Sequence, residues 1–116
     1  DIPLDAHANV GVTGKGQGAK GLMLTSLAGC TAMDVISILR KMRVEPEAFS
    51  VETETELTDE HPKVFKRVKI TYRLKGKDIP RDNVERAVEL SQEKYCGVSA
   101  MLAKAVPIDF EIIIEE

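Results

Sequence analysis

KGLMLTSLAGCTAMDVISILRKMR, residues 20–43, is the stretch on which the fold turns. It contains no proline, is dominated by good helix formers, and closes on Arg40, Lys41 and Arg43, where cations suit the negative end of a helix dipole. One long helix is predicted here. Its apolar side chains run from Leu22, Met23 and Leu24 through Leu27, Ala28, Cys30, Ala32, Met33, Val35 and Ile36 to Ile38 and Leu39, and they do not keep to one stripe. A helix that is apolar nearly all round must be covered nearly all round.

Downstream, Pro46 breaks the helix, and Ser50 to Leu57 alternates with Val51, Thr53, Thr55 and Leu57 on one face and Glu52, Glu54 and Glu56 on the other. That is the pattern of a strand with one solvated face. Turn chemistry at Thr58-Asp59-Glu60-His61-Pro62 leads into a second alternation, with Val64, Val68, Ile70, Tyr72 and Leu74 inward and Arg67, Lys69 and Arg73 outward. In a hairpin the acidic face would lie beside the basic one, so cross-strand ion pairs account for both charge runs without a docking partner. Asp82 and Glu85, in capping-box spacing, announce a second helix to about Tyr95, with Val84, Ala87, Val88 and Ser91 on one side. Cys96-Gly97 interrupts it, Val98 to Ala105 reads as a short helix, and Pro107 introduces a last strand with Ile108, Phe110, Ile112 and Ile114 inward.

Upstream, the chain starts at Asp1 and runs directly into Ile2 to Ala6, which reads as the end of a strand; an earlier strand is expected to be missing. Gly11 to Gly18 is a glycine-rich loop that fits neither the P-loop nor the dinucleotide-binding spacing. The order strand, helix, strand, strand, helix, helix, strand predicts an α+β fold, a mainly antiparallel sheet with helices on one face. At 116 residues and 43% hydrophobic content, residues 1–116 are expected to form a single domain. Three inward strand faces and one amphipathic helix are too little to enclose the long helix, so a homodimer is expected to complete its burial.

The net charge of −3 argues against nucleic acid or an anionic membrane as partner. No apolar run is read as long enough for a membrane span. Two cysteines are too few for a disulfide scaffold, and with no secretory signal in view the expected location is cytoplasmic.

Those two cysteines, Cys30 and Cys96, are the candidate reactive groups. Cys96 lies where one helix stops and another begins, so backbone N–H groups would favour its thiolate, with Lys94 adding positive charge. Cys30 lies among apolar neighbours, which raise a thiol pKa. On this reading Cys96 is the more acidic. Taken without further pattern, both are equally consistent with small buried hydrophobes.

The surrounding words favour chemistry. LTSLAGCTAMDV (24–35), ILRKMR (38–43) and LSQEKYCGVSA (90–100) closely resemble the OsmC/Ohr family, osmotically inducible protein C and organic hydroperoxide resistance protein, and its OsmC-like subgroup most of all. The resemblance spans almost the whole chain. It implies an OsmC-like fold built as an intertwined homodimer with a long central helix and two active sites at the subunit interface. It further implies that the helix cysteine attacks an organic hydroperoxide and that the later cysteine resolves the sulfenic acid as an intrachain disulfide. Cys30 and Cys96 fall on those positions. No bound cofactor is implied, and the reductant would be a dithiol or a lipoylated protein. The family also sets an arginine and a glutamate beside the attacking thiol. The arginine belongs to the early strand region expected to be missing, and Gly21 occupies the glutamate position; Lys20 or His7 is a candidate substitute.

Several other residues have a candidate role. Met23, Leu27, Met33 and Met101 would line an apolar approach suited to bulky hydroperoxides, with core packing as their alternative use. Ser26, one turn before Cys30, would donate to its sulfur or else to its own helix backbone. Asp34, one turn after, would repel a thiolate and is read as a structural hydrogen-bond acceptor. His7 and His61 are dispersed and neither cysteine belongs to a Cys-x-x-Cys pair, so no metal is expected. The alternative function is a dimer that keeps the fold and thiols but acts as a redox-responsive or small-ligand-binding protein.

Overall fold

Every fourth residue of the long helix from Leu27 onward (Leu27, Thr31, Val35 and Leu39) is fully buried. That spacing is one face of an α-helix. The structure, a computed structural model, describes residues 19–116; the expected strand at Ile2 to Ala6, the glycine loop and His7 lie outside them. Helix α1 spans Ala19–Lys41 and is followed by strands β1, Ala48–Leu57, and β2, Phe65–Lys75. Helix α2, Arg81–Leu90, passes into a π-helical turn, Ser91–Tyr95, and then come helix α3, Gly97–Ala103, and strand β3, Ile108–Glu115.

Helix α1 ends on a paired backbone motif. The Val44 N–H donates to Leu39 O at 2.8 Å and the Arg43 N–H to Arg40 O at 3.0 Å, with Arg43 in the left-handed region at φ 63°. This is the Schellman arrangement, which satisfies carbonyls that a helix end otherwise leaves open. Val44 is carried back into the core.

One expectation is corrected by α1. Its segment Lys20–Lys41, 22 residues at a hydropathy of 1.7, is long and apolar enough to cross a membrane by length and composition. The helix packs against β1, α2 and α3, with Leu27, Thr31, Val35 and Leu39 as its fully buried stripe. The rest of its surface is left partly open: Met23 is 46% and Met33 73% exposed.

The sheet has the order β1-β2-β3 and is mixed, which corrects the mainly antiparallel expectation for the described residues. β1 and β2 pair antiparallel as the predicted hairpin, with Val51 opposite Tyr72. β2 and β3 pair parallel, with Val68 opposite Ile108 and Tyr72 opposite Ile112. The helical crossover through α2 and α3 returns the chain to the starting end of β2, and only a parallel pairing is then available. On the solvated face Arg67 pairs with Glu56 at 2.9 Å, Arg73 with Glu52 at 2.8 Å and Lys69 with Glu111 at 2.9 Å. The first two are the expected hairpin pairs.

Val68, Ile70, Tyr72 and Leu74 of β2 are buried, as their alternation requires, but Val64 precedes the strand and is exposed. In β3, Ile112 is buried, whereas Phe110 is largely open and lays its ring edgewise to Tyr72 at 6.3 Å between centroids. The expected capping box does not form. Helix α2 starts at Arg81 behind Pro80 with no side-chain cap, Asp82 falls inside the first turn, and Glu85 accepts from Arg81 Nε at 3.1 Å. Val84, Ala87, Val88 and Ser91 are buried together.

Candidate functional site

Cys30 and Asp34 are four residues apart on α1 and therefore share one face of it. Cys96 is brought to that face from the far side of the sequence: both sulfurs and a carboxylate oxygen of Asp34 lie within 4.8 Å of one another. Both thiols are free, Cys96 buried and Cys30 half-buried.

The π-helical turn places Cys96. Its wider loop is closed by the Cys96 N–H donating to Ser91 O at 2.7 Å, after which Cys96 takes an extended conformation and caps α3. Single π turns often mark functional sites because they redirect the side chains that follow. The Cys96 sulfur accepts the Ser99 N–H at 3.4 Å.

Burial nevertheless pushes the Cys96 thiol above its ordinary value of 9.0. The Ser99 side chain and backbone oppose the rise, and the neighbouring Cys30 adds to it. The expected lowering of the Cys96 pKa at the start of α3 is thus outweighed for a physical reason: the sulfur has lost nearly all its water, and the contacts from Ser99 do not make up for it. Lys94, the expected source of positive charge, is exposed and holds its ammonium 5.5 Å from the Tyr95 ring centroid.

Beneath the thiols runs a buried polar network that the sequence reading did not assemble. The Ser91 hydroxyl donates to Asp34 Oδ2 at 3.1 Å; Ser91 Oγ and Thr31 Oγ1 are 2.8 Å apart, and Thr31 Oγ1 and the Tyr72 hydroxyl 2.7 Å. Gln92 Nε2 donates to both Thr31 Oγ1, at 3.1 Å, and the Tyr72 oxygen, at 2.9 Å. Each hydroxyl has one proton, and an ionised carboxylate only accepts. With Asp34 ionised the protons must therefore point one way, from Tyr72 to Thr31 to Ser91 to Asp34. The phenol of Tyr72 is raised above its ordinary 10.0, chiefly by burial, with Thr31 and Gln92 opposing and negative charge at Cys96 and Asp34 adding. The available signal was a set of polar residues on faces otherwise buried: Thr31 on the Leu27–Val35 stripe, Tyr72 among inward strand positions, and Ser91 on the apolar side of α2.

The other candidates are dispersed. Ser26 donates to Leu22 O at 3.1 Å, the ordinary fate of a helix serine. Leu27 is wholly buried in the core. Met23 and Lys20 line an apolar cavity of about 310 Å³ with Phe65, Leu102 and Val106. Met33 and Met101 are exposed, at 73% and 67%. Gly21 is exposed, with open space where a side chain would stand. His61 is exposed in the hairpin turn, as expected.

A family model described as OsmC-like protein matches residues 12–111. Protein YhfA of Escherichia coli strain K12 is 38% identical over 94 residues, which cover 79% of this chain and 70% of that relative. The crystal structure of a hypothetical protein from Aquifex aeolicus VF5 is similar at a TM-score of 0.79 and 31% identity, over 95% of this chain and 86% of that one. The organic hydroperoxide resistance protein OhrB of Bacillus subtilis shares the fold at a TM-score of 0.65 and 20% identity, over 90% of this chain and 75% of that one.

Proposed function

The chain belongs to the OsmC-like protein family, and from that premise we propose that it is a thiol-dependent peroxidase that reduces organic hydroperoxides through Cys30 and Cys96. The observation that carries the reading is the convergence of the two sulfurs, 66 positions apart in sequence, to within 4.8 Å. A disulfide requires about 2.05 Å between sulfurs, so side-chain movement closes the remaining distance.

Cys30, half-buried on α1, is the attacking group, because a peroxide can reach it and Cys96 is enclosed. Its thiolate attacks the distal oxygen of the hydroperoxide; the S–O bond forms as the O–O bond breaks, and the alkoxide takes a proton and leaves as an alcohol. Cys30 is then a sulfenic acid. Cys96 attacks that sulfur, the S–O bond breaks, and the thiol proton leaves with hydroxide as water. Burial that keeps Cys96 protonated suits this second role, because the resolving thiol reacts only after the first step. A dithiol or a lipoylated protein returns both sulfurs to thiols. The active unit is a homodimer, which covers the apolar surface that α1 leaves open.

The test is a thiol count and intact mass after one equivalent of cumene hydroperoxide is added to the reduced protein. Both thiols should be lost as one intrachain disulfide, Cys96→Ser should stop at sulfenic acid, and Cys30→Ser should not react. Folded protein whose thiols stay reduced would overturn the reading in favour of a dimer that binds a ligand without turning it over.

A further inference from the structure

We propose that Cys30, Asp34 and Cys96 form a binding site for a thiophilic divalent cation, with Zn2+ the ion that their donor set fits. Two sulfurs and one carboxylate oxygen converge from two elements to within 4.8 Å. In a tetrahedral zinc site, bonds of about 2.3 Å to sulfur and about 2.0 to 2.2 Å to oxygen put neighbouring ligand atoms roughly 3.5 to 3.8 Å apart. Contraction by about 1 Å, within the reach of side-chain rotation, closes the three donors around one ion. Thiolate ligands select zinc over magnesium or calcium, which take oxygen cages.

The surroundings are those of a supported site. Bound metal ligands are commonly oriented by hydrogen bonds from behind. Here Asp34 Oδ2 accepts the Ser91 hydroxyl at 3.1 Å, Ser91 is itself tied to Thr31 at 2.8 Å, and the Cys96 sulfur accepts the Ser99 N–H at 3.4 Å. The Ser99 side chain is buried in the first turn of α3, beside the sulfur that its own N–H approaches. Three protein ligands leave a fourth position open, and Cys30 and Asp34 are exposed enough to admit an ion. No metal was expected from dispersed histidines and the lack of a Cys-x-x-Cys pair; the fold supplies a carboxylate in their place.

Such a site would be under redox control. Loading displaces the two thiol protons. Oxidation by an organic hydroperoxide consumes the zinc-bound thiolate pair, one hydroperoxide and two protons, and yields the disulfide, one alcohol, one water and free Zn2+: the sulfurs lose two electrons and the O–O bond gains them. The ligands then no longer exist as thiolates. Zinc would hold the reduced pair and leave on oxidation.

The experiment titrates the full chain, reduced and freed of reductant, with Cd2+ as an optical probe and with Zn2+ by calorimetry. One equivalent of either ion should bind per chain, with sulfur-to-cadmium charge-transfer absorption in the near ultraviolet. Cys30→Ser and Cys96→Ser should each lose about half that absorption, and Asp34→Asn should bind Zn2+ at least tenfold more weakly. Oxidation of the parent protein to the disulfide should release the ion, a comparison that does not depend on any variant folding. No thiolate absorption in the reduced protein, equal zinc binding before and after oxidation, or unchanged affinity in Asp34→Asn would each overturn the site. The readout is binding, so it separates from the peroxidase reading: a protein that turns over hydroperoxide but binds no zinc refutes this inference alone.

Discussion

The hydroxyl oxygens of Thr31 and Tyr72 lie 2.7 Å apart in the buried interior, one on α1 and the other on β2. The contact ties the helix that carries Cys30 to the central strand of the sheet, and Gln92 braces both hydroxyls from the π turn that carries Cys96. The thiols are thus positioned by polar bonds as well as by the apolar packing of α1. Each of these bonds also becomes a liability when one partner is removed.

Tyr72→Phe should destabilise the protein by about 1–3 kcal/mol, because it leaves Thr31 and Gln92 with an unmet hydrogen-bonding group in the core. A fall in the urea midpoint checks this; an unchanged midpoint would show that the network carries no net stability. A pH effect accompanies it. The phenol is raised in the folded chain, so above its ordinary 10.0 the folded state holds a proton that the unfolded state has lost. Stability therefore declines as pH rises beyond that value, and Tyr72→Phe should remove this part of the decline.

Cys30 should be alkylated before Cys96. Burial both blocks access to Cys96 and raises its thiol above 9.0, so at pH 8 its thiolate is scarce. Peptide mapping after a timed iodoacetamide pulse should find Cys30 labelled at least tenfold faster. Equal labelling, or Cys96 first, would contradict the site described above.

Arg43→Gly should stabilise the chain by up to about 1 kcal/mol. Arg43 sits at φ 63°, a conformation that costs an L-residue roughly 1 kcal/mol and glycine almost nothing. The measured consequence is a melting temperature several degrees higher. A lower one would mean that the arginine side chain contributes more than the backbone strain costs.

Met33→Asp should break the proposed dimer. The side chain is 73% exposed on α1, and a carboxylate there cannot be buried against a second copy without a large desolvation cost. Light scattering should give about twice 12.8 kDa for the parent chain and the single-chain mass for the variant. A parent that is monomeric at working concentration would remove the dimer from the account.

Much of this architecture was already legible along the chain. The alternation in residues 51–57 and 68–74 specified the hairpin and a glutamate face beside a basic one, and the register of the folded sheet selects Arg67 with Glu56 and Arg73 with Glu52 as the pairs. The helix over residues 20–43 and the break at Cys96-Gly97 were equally plain. These signals are local, because periodicity, proline and turn residues act within a few positions of themselves. The missing cap at Asp82 shows their limit: the spacing was present, but Pro80 and Arg81 moved the helix start and gave Glu85 another partner.

The sequence by itself determined the elements and drew attention to both cysteines, since helix and strand periods, breakers and the words around each thiol are written in contiguous residues. The tertiary structure alone decided that β3 runs parallel to β2, that Asp34 stands within 4.8 Å of both sulfurs, and that Thr31, Tyr72, Ser91 and Gln92 close one network beneath them. It also decided that burial raises the Cys96 thiol. Those facts depend on which residues meet across 20 to 66 positions of chain and on how much water each loses there, and neither quantity exists before the chain is folded.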